Sequence, residues 1–242
     1  MTALAIDLFA GLGGWAEGLL AERWSVVGFD IERHVYGAER YPAQLVIQDV
    51  LALHGSQFRD AALIVASPPC QEFSYMAMPW SRAKQIARAL RGEDEFPAGY
   101  RGSRTVEELT ALFDACFRIQ REAEAAAGRH IPRVVENVRG VQKWVGRAKW
   151  AFGSFYLWGD VPALMPIAKK PTKAPGFRFD GSGRSFQTAC VEGQKGFAVR
   201  LGDSEHAKTG SKSKARKAAS AQIAKIPPVL SRYIAATYRP GT

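Results

Sequence analysis

The chain has 242 residues, of which 47% are hydrophobic and three are cysteines, and its net charge is +10. That length suits one large α/β domain with a sizeable core and a small appendage. Cys70, Cys116 and Cys190 are widely spaced and form no CxxC pair, which argues against a disulfide scaffold or a zinc site and for a reducing compartment. Without a signal pattern or an apolar run of membrane-span length, we expect a cytoplasmic protein with no membrane partner and no metal.

The positive charge is concentrated in the second half of the chain. Residues 1–120 carry 11 Lys and Arg against 15 Asp and Glu, whereas residues 121–242 carry 22 against 8. No acidic residue follows His206. Such a distribution favours a polyanionic partner for the C-terminal half, and a solvated basic tail is the alternative.

Apolar runs alternate with helical patterns along the chain. We predict strands over residues 4–9, 25–30, 45–49, 63–66 and 133–136, and helices over residues 14–22, 34–41, 105–127 and 228–238. The alternation predicts an α/β fold whose mostly parallel sheet has helices on both faces. Ligands of such sheets bind beyond the carboxyl ends of the strands.

Cys70 lies in the sequence Ser-Pro-Pro-Cys-Gln-Glu-Phe-Ser, directly after the apolar run 61–66. A lone cysteine is usually a small buried hydrophobe. Here Pro68 and Pro69 fix the backbone and remove hydrogen-bond donors, and polar residues follow at once. This setting suits an exposed nucleophile that is held in place better than a residue of the core.

Two further segments follow predicted strands. The run Asp7-Leu8-Phe9-Ala10-Gly11-Leu12-Gly13-Gly14 has the strand–glycine turn–helix layout of a nucleotide-type cofactor loop, although a glycine motif alone is also compatible with a simple tight turn. The run Glu136-Asn137-Val138 ends a strand with a carboxylate and an amide. A strand-end Glu alone is as compatible with a solvated or capping residue.

Taken together and in this order, the three segments resemble the cytosine-5 DNA methyltransferases. The resemblance is good over about the first 140 residues, partial over the last 20, and poor between about residues 145 and 220. It implies a Rossmann-like S-adenosylmethionine-dependent methyltransferase fold, S-adenosylmethionine as the cofactor and duplex DNA as the substrate. The divergent remainder resembles the compact members found in phages and mobile elements.

The resemblance also implies roles for individual residues. Cys70 would add to ring carbon 6 of a cytosine flipped out of the duplex, Glu136 would hydrogen-bond ring nitrogen 3, and Asn137 would fix the Glu136 loop. Asp30 would bind the ribose and Asp49 the adenine amino group, unless both are loop-capping acids. The implied cofactor-binding residues are Asp7, Phe9, Ala10, Gly11, Leu12, Gly13, Gly14, Asp30, Ile31, Asp49, Val50 and Pro69.

Nucleic-acid contacts are predicted in two parts of the chain. Residues 74–103 would close on the flipped base, with Arg82, Lys84, Arg88 and Arg91 along phosphates; a solvated helix beside the acidic run 93–95 is the alternative. Residues 159–221 would form a small basic target-recognition region for a short or degenerate target. The predicted nucleic-acid-binding residues are Gln71, Ser74, Arg178, Arg184, Lys208, Lys212, Lys214, Arg216 and Lys217.

The resulting division is a catalytic and cofactor-binding domain over 1–158, the target-recognition region over 159–221, and a C-terminal helix over 222–242 that packs back on the catalytic domain. Two family features are missing. Residues 150–159 contain no QxRxR arginines, for which Arg147, Lys149, Arg178 or Arg184 are candidate replacements, and Ile223-Ala224 replaces a Gly-Asn pair.

Three functions are compatible with these residues: a DNA cytosine-5 methyltransferase, an RNA cytosine-5 methyltransferase of the same fold, and a binding protein that has lost catalysis. Fold resemblance alone does not establish activity. We expect a monomer. The residues leave open the target sequence and the biological role, whether host protection, disguise of phage DNA or regulation.

Overall fold

A computed structural model describes residues 2–36, 39–73, 80–164, 221 and 224–241. The elements are β1 (Leu4–Leu8), α1 (Gly14–Ala21), β2 (Ser25–Asp30), β3 (Val35–Tyr36), β4 (Glu39–Arg40), β5 (Gln44–Ile47), β6 (Leu63–Ala66), α2 (Trp80–Ala89), α3 (Val106–Ala127), β7 (Arg133–Asn137), α4 (Gln142–Val145), β8 (Trp150–Phe152), β9 (Phe155–Gly159) and α5 (Pro228–Thr237). Within these ranges, no helix is both long and apolar enough to cross a membrane.

The central sheet has seven strands in the order β5-β2-β1-β6-β7-β9-β8. The first five are mutually parallel, which confirms the predicted α/β fold. The last two are antiparallel additions at the β7 edge. They form from residues 150–159, where aromatic residues flank a turn at Gly153 with φ 64°, a conformation that favours glycine.

The two faces of the sheet pack against different helices, because successive strand residues point to opposite sides. One face packs against α1 and α5 and uses the buried side chains Ala5, Leu63, Val65 and Val134. The other face packs against α3 and uses Ile6, Leu8, Ile64, Ala66 and Val135. The layout of helices on both faces is therefore as predicted.

Helix α5, near the C-terminus, packs on α1. The crossing is close: a Cβ atom at Gly18 would lie 2.2 Å from Ser231 Oγ. The Trp24 indole N–H also donates to the Ala235 carbonyl across 3.0 Å. Residues 14–21 and 228–237 thus form one helical layer over β1.

The predicted helix over residues 34–41 is wrong. Val35 pairs with Arg40 in the two-stranded antiparallel sheet of β3 and β4. Tyr41 then turns into the core, where its ring fills the space left by Gly28, since a Cβ there would be 2.4 Å from the ring carbon Cζ. Tertiary packing of a strand-favouring aromatic residue decides the conformation of this segment.

Candidate active site

The predicted site residues lie at one edge of the sheet. Strands β1, β2, β6 and β7 are parallel and aligned, so their carboxyl ends meet at the same edge. The glycine loop follows β1, Asp30 ends β2, and Cys70 follows β6. Glu136 is the second-last residue of β7. These segments therefore lie at the same edge of the sheet.

The glycine loop folds back over β2. Its Gly11 N–H donates to Asp30 Oδ2 across 2.8 Å, and its Gly13 N–H donates to the Ala10 carbonyl across 2.8 Å. Phe9, Gly11 and Gly13 all have positive φ values, of 61°, 52° and 78°. The loop thus directs its backbone toward the end of β2, with Ala10 and Leu12 buried beneath it.

Two of the loop glycines are covered by other segments. A Cβ atom at Gly13 would lie 2.3 Å from Pro42 Cδ, and one at Gly14 would lie 2.4 Å from the Ile226 nitrogen. At Gly11 the nearest described atom would be 3.9 Å away. Among the residues that the structure describes, Gly11 is therefore the part of this loop that a ligand can approach from the Cβ side.

Asp30 is an ionised carboxylate held by its surroundings. Burial alone would raise its pKa, but hydrogen bonds from His34 and from the Gly11 and Glu32 backbone N–H groups outweigh burial and lower the pKa. His34 Nε2 lies 3.4 Å from Asp30 Oδ1. The next residue, Ile31, is 70% exposed and offers an apolar surface beside the carboxylate.

Asp7 lies inside the protein and is 1% exposed. Its Oδ2 accepts the Tyr41 hydroxyl across 3.0 Å, and Oδ1 has no hydrogen-bond partner among the described residues. Burial raises the pKa of Asp7 well above its usual value, the nearby charge of Asp30 adds to the rise, and the Tyr41 bond opposes it. Burial therefore disfavours the charged form of this carboxyl group, which is enclosed and faces Tyr41.

The third predicted acid, Asp49, caps a short 3₁₀ turn. Its Oδ1 accepts the Leu51 N–H across 2.9 Å, and Val50 packs into the core. The capping alternative thus describes what Asp49 does in this structure. Its side chain is nevertheless exposed at the end of β5, the neighbour of β2.

Cys70 is half-buried in the loop of residues 67–73, which we call the Cys70 loop. Two neighbouring segments make hydrogen bonds to this loop. The Asn137 side-chain amide donates to the Pro68 carbonyl across 2.9 Å, and its oxygen accepts the Val138 N–H across 2.8 Å. On the other side, the Ser67 hydroxyl accepts the Trp15 indole N–H across 2.9 Å. Asn137 thus joins the loop of Cys70 to the strand of Glu136, a wider role than fixing the Glu136 loop alone.

Glu136 is buried, with 5% of its surface exposed, and stands opposite Leu157 of β9. The other described cysteine, Cys116, is fully buried in α3, and burial raises the pKa of its thiol to about 12. A thiol in that state is inert, so Cys70 is the described cysteine suited to react. Cys190 lies outside the described residues.

Glu72 makes contacts that sequence reasoning missed. Its carboxylate accepts the Tyr100 hydroxyl across 3.0 Å, the Ser103 N–H across 2.7 Å and the Ser103 hydroxyl across 2.8 Å. The partners lie about 30 residues away in sequence, within a segment without periodic structure, which left no sequence signal.

The acidic run beside α2 binds two of the four arginines and lysines that were candidates for phosphate contacts. Arg88 Nη2 lies 2.6 Å from Asp94 Oδ2, and Arg91 Nε lies 2.5 Å from Glu93 Oε1. These pairs favour the solvated-helix alternative for Arg88 and Arg91.

Most predicted nucleic-acid-binding residues lie outside the described residues. Gln71 is described and exposed beside Cys70. The others, for which the structure gives no position, are Ser74, Arg178, Arg184, Lys208, Lys212, Lys214, Arg216 and Lys217. The described part of the chain has no His, Cys, Asp and Glu group that could hold a metal ion.

Arg147 and Lys149 do not take the place of the missing QxRxR arginines at the site. They line a cavity of about 360 Å³ together with Arg133 and Asp160. Arg133 is the first residue of β7, so this cavity lies at the opposite end of the strand from Glu136. The other two candidates, at positions 178 and 184, lie outside the described residues.

A known family model matches the N-terminal third of the chain. Residues 4–82 match the model of the family described as C-5 cytosine-specific DNA methylase. The match includes the glycine loop, Asp30, Asp49 and Cys70, and it confirms the family resemblance over these residues. Glu136 and Asn137 lie beyond it.

Similar solved structures include a protein described as a DNA modification methyltransferase encoded within an Escherichia coli prophage, with 22% identity and a TM-score of 0.36 over 58% of this chain and 33% of that one. The Schizosaccharomyces pombe Dnmt2 methyltransferase has 15% identity and a TM-score of 0.35 over 60% and 37% of the two chains. The Entamoeba histolytica methyltransferase EhMeth has 15% identity and a TM-score of 0.34 over 60% and 41%. The chain spans well under half the length of these structures. No curated protein matches it in sequence.

Proposed function

We propose that this chain, whose residues 4–82 match the model of the C-5 cytosine-specific DNA methylase family, transfers a methyl group from S-adenosylmethionine to carbon 5 of cytosine in DNA. The observation that carries the proposal is the placement of Cys70. It is half-buried at the carboxyl edge of the sheet, and Asn137 joins its loop to the strand of Glu136. A nucleophile and a carboxyl group are thereby held beside the same loop.

The end of the sheet near β1 and β2 fits S-adenosylmethionine. The ionised Asp30 can accept hydrogen bonds from ribose hydroxyls, and the exposed Ile31 gives an apolar surface for a base. The open side of Gly11 lets backbone approach the ligand, and Asp49 offers a second exposed carboxylate. When bound, the cofactor supplies an electrophilic methyl group.

The residues of the site account for the chemistry at cytosine. Carbon 5 is a poor nucleophile until the Cys70 thiolate adds to carbon 6, which makes carbon 5 enamine-like. A hydrogen bond from Glu136 to ring nitrogen 3 makes that addition easier. After carbon 5 has taken the methyl group, it loses its proton, the bond between carbon 6 and sulfur breaks, and the ring is restored.

Duplex DNA as the substrate is supported by the family match and by the charge of the second half of the chain, with 22 Lys and Arg against 8 Asp and Glu. The target carbon is buried in a duplex, so we propose that the cytosine flips out, at an expense of a few kcal/mol. We further propose residues 159–221 as a small recognition region between the catalytic residues and α5, with a short or degenerate target.

The test is transfer of a labelled methyl group from S-adenosylmethionine to mixed-sequence duplex DNA, with tRNA in parallel. We expect label in DNA, and a loss of at least about a thousandfold for Cys70→Ser, because a hydroxyl is a far weaker nucleophile than a thiolate. Cys116→Ala is the matched control, since it removes the other described thiol, and it should keep activity while folded. Label in tRNA alone would replace DNA by RNA as the substrate, and no label despite DNA and cofactor binding would leave a binding protein.

A further inference from the structure

We propose that Glu72 is a positioning residue, which holds the Cys70 loop against a turn formed by residues 100–103 (the docking turn). The inference rests on the proposed function, because it concerns the alignment of Cys70 with its substrate. Glu72 stands two residues after Cys70, and its carboxylate is the point where the loop contacts the docking turn.

The contact consists of three hydrogen bonds to one carboxylate. Oε1 accepts the Tyr100 hydroxyl and the Ser103 N–H, and Oε2 accepts the Ser103 hydroxyl. Gly102 permits this approach, because a Cβ atom there would lie 2.2 Å from Glu72 Oε1 and 2.4 Å from the Tyr100 oxygen. Hydrogen bonds to an ionised acceptor are stronger than those between neutral groups.

The docking turn is itself firmly supported. The Tyr100 ring stacks on Phe96 with the ring centres 5.3 Å apart, and the Arg104 guanidinium lies 4.7 Å from the centre of the Phe96 ring. Arg104 Nη2 also donates to the Tyr100 carbonyl across 3.0 Å. Thr105 then caps α3, whose apolar face packs on the sheet. Glu72 therefore connects the Cys70 loop to a fixed point of the fold.

The Cys70 loop is thus held at both ends. Before Cys70, Asn137 binds the Pro68 carbonyl; after it, Glu72 binds the docking turn and Phe73 enters the core, 7% exposed. A mismatch of about 1 Å between reacting groups can cost on the order of a hundredfold in rate, so anchors so close to a nucleophile affect the chemical step.

The charge of Glu72 points to the same role. A carboxylate near a thiol disfavours the reactive thiolate, which would make an acid here a disadvantage. Three donors compensate that charge. Burial raises the pKa of Tyr100, and the bond to Glu72 raises it further, so the phenol keeps its proton and remains a donor over the neutral pH range.

The first experiment measures alkylation of Cys70 by iodoacetamide, followed by peptide mass spectrometry, which needs neither DNA nor activity. We expect Glu72→Ala to raise the rate several-fold, because the loop is released and the repelling charge is removed. Glu72→Gln separates the two causes, since its amide removes the charge yet can accept the Ser103 N–H and donate to the Ser103 hydroxyl. It should react at nearly the wild-type rate if positioning dominates.

The second experiment measures kcat and KM for methyl transfer to duplex DNA. We expect kcat to fall about tenfold in Glu72→Ala, equivalent to about 1.4 kcal/mol, with KM for S-adenosylmethionine unchanged and partial recovery in Glu72→Gln. Glu107→Ala is the matched control, because Glu107 is exposed on α3 and has no side-chain hydrogen bond or ion pair among the described residues.

The outcomes separate the two proposals. Equal alkylation rates in wild type, Glu72→Ala and Glu107→Ala would overturn the positioning role of Glu72, whatever the activity. Wild-type protein that transfers no methyl group while Glu72→Ala still alters Cys70 alkylation would overturn the proposed DNA methylation and leave the loop anchor in place. A fall in kcat equal in Glu72→Ala and Glu107→Ala would also count against the anchor.

Discussion

At the carboxyl edge of the sheet, the part near β1 and β2 (the β1–β2 end) has acidic side chains that already bind other protein groups. Asp7 is buried against Tyr41, Asp30 binds the glycine loop and His34, and Ile226 covers the start of α1. At the β6–β7 end, Cys70 is half-buried, and Asn137 holds its loop through the Pro68 carbonyl. The β1–β2 end therefore has its carboxylates fixed by protein contacts around the open side of Gly11, whereas the β6–β7 end carries the candidate nucleophile on a fixed loop.

Because the two ends are held by different contacts, we expect mutations at each end to affect different properties of the protein. At the β1–β2 end, the buried acids Asp30 and Asp7 bind partners 19 and 34 positions away, so changes to them act on stability as well as on the proposed cofactor site. The contacts that hold the Cys70 loop join segments that are 69 and 31 residues apart. Changes there act first on the alignment of the nucleophile.

Apart from the loss of the Cys70 thiol itself, the largest expected effect is at the β6–β7 end, in Asn137→Ala. Removing the amide leaves the Pro68 carbonyl without its donor and frees the Cys70 loop from β7. We expect kcat to fall about a hundredfold and the free energy of unfolding to fall by about 1–3 kcal/mol. Methyl-transfer kinetics and urea unfolding measure the two effects.

Asn137→Asp is the matched variant, because an ionised aspartate keeps the acceptor for the Val138 N–H and replaces the donor to the Pro68 carbonyl by a charged acceptor. It should reproduce most of the loss in kcat. An Asp variant with wild-type kcat would show that Asn137 acts through Val138 and the Glu136 strand, and that the link to the Cys70 loop has no part in catalysis.

The sequence predicts much of this architecture because short-range patterns encode it. The five parallel strands, α1, α3 and α5 follow from apolar periodicity and from the glycine turn, and their alignment brings Asp30, Cys70 and Glu136 to one edge. The predicted helix is a hairpin over residues 35–40. Neighbouring residues do not indicate this, because Tyr41 is positioned by contacts with Gly28 and Asp7, which are distant in sequence.

The details of the site depend on longer-range contacts. Glu72 is an unremarkable acid in the sequence, and its partners Tyr100 and Ser103 belong to no regular element. Likewise, Asp7 resembles a cofactor residue in its motif, but the structure encloses it behind Tyr41. Motifs therefore locate the site, while the partners of each side chain follow only from the assembled fold.

At the β1–β2 end, Asp7→Asn should change how stability depends on pH. Burial raises the pKa of Asp7 in the folded state, so above the unfolded-state value of about 3.9 the unfolded chain releases a proton that the folded protein keeps. Relative to the variant, the free energy of unfolding of the wild type therefore falls by up to about 1.4 kcal/mol per pH unit as pH rises toward the folded-state pKa. Urea unfolding of both proteins from pH 4 to 7 measures this difference.

Asp30→Asn supplies the contrast, because the folded-state pKa of Asp30 is lowered. The stabilising contribution of Asp30 is present above its unfolded-state pKa and is lost as pH falls through the lower folded-state value. Its difference from wild type should therefore change with the opposite sign and at lower pH, so the unfolding series for Asp30→Asn extends below about pH 4. A pH-independent difference for Asp7→Asn would mean that Asp7 is ionised in the folded protein.

Gly18→Ala should destabilise the layer formed by α1 and α5. The new Cβ would lie 2.2 Å from Ser231 Oγ and 2.5 Å from the Ser231 carbonyl carbon, so the helices must move apart. Overpacking costs about 1–3 kcal/mol, and the higher helix propensity of alanine returns at most about 1 kcal/mol. We expect a net loss of about 1–2 kcal/mol in urea unfolding, against less than about 0.5 kcal/mol for Val229→Ala, which alters an exposed α5 position. Equal effects would contradict the close crossing.

The smallest expected effect tests how the C-terminal segment is held over the β1–β2 end. Lys225 Nζ lies 2.6 Å from Glu17 of α1 and 3.5 Å from Glu39 of β4, with 17% of its side chain exposed. Lys225→Met should lower the free energy of unfolding by about 0.5–1 kcal/mol, and less at high salt. Arg232→Met is the control, because Arg232 pairs with Glu22 while 59% exposed and should matter less. If both variants lose the same amount and respond alike to salt, Lys225 is an ordinary surface pair, and the segment over Gly14 is held by the packing of Ile226 alone.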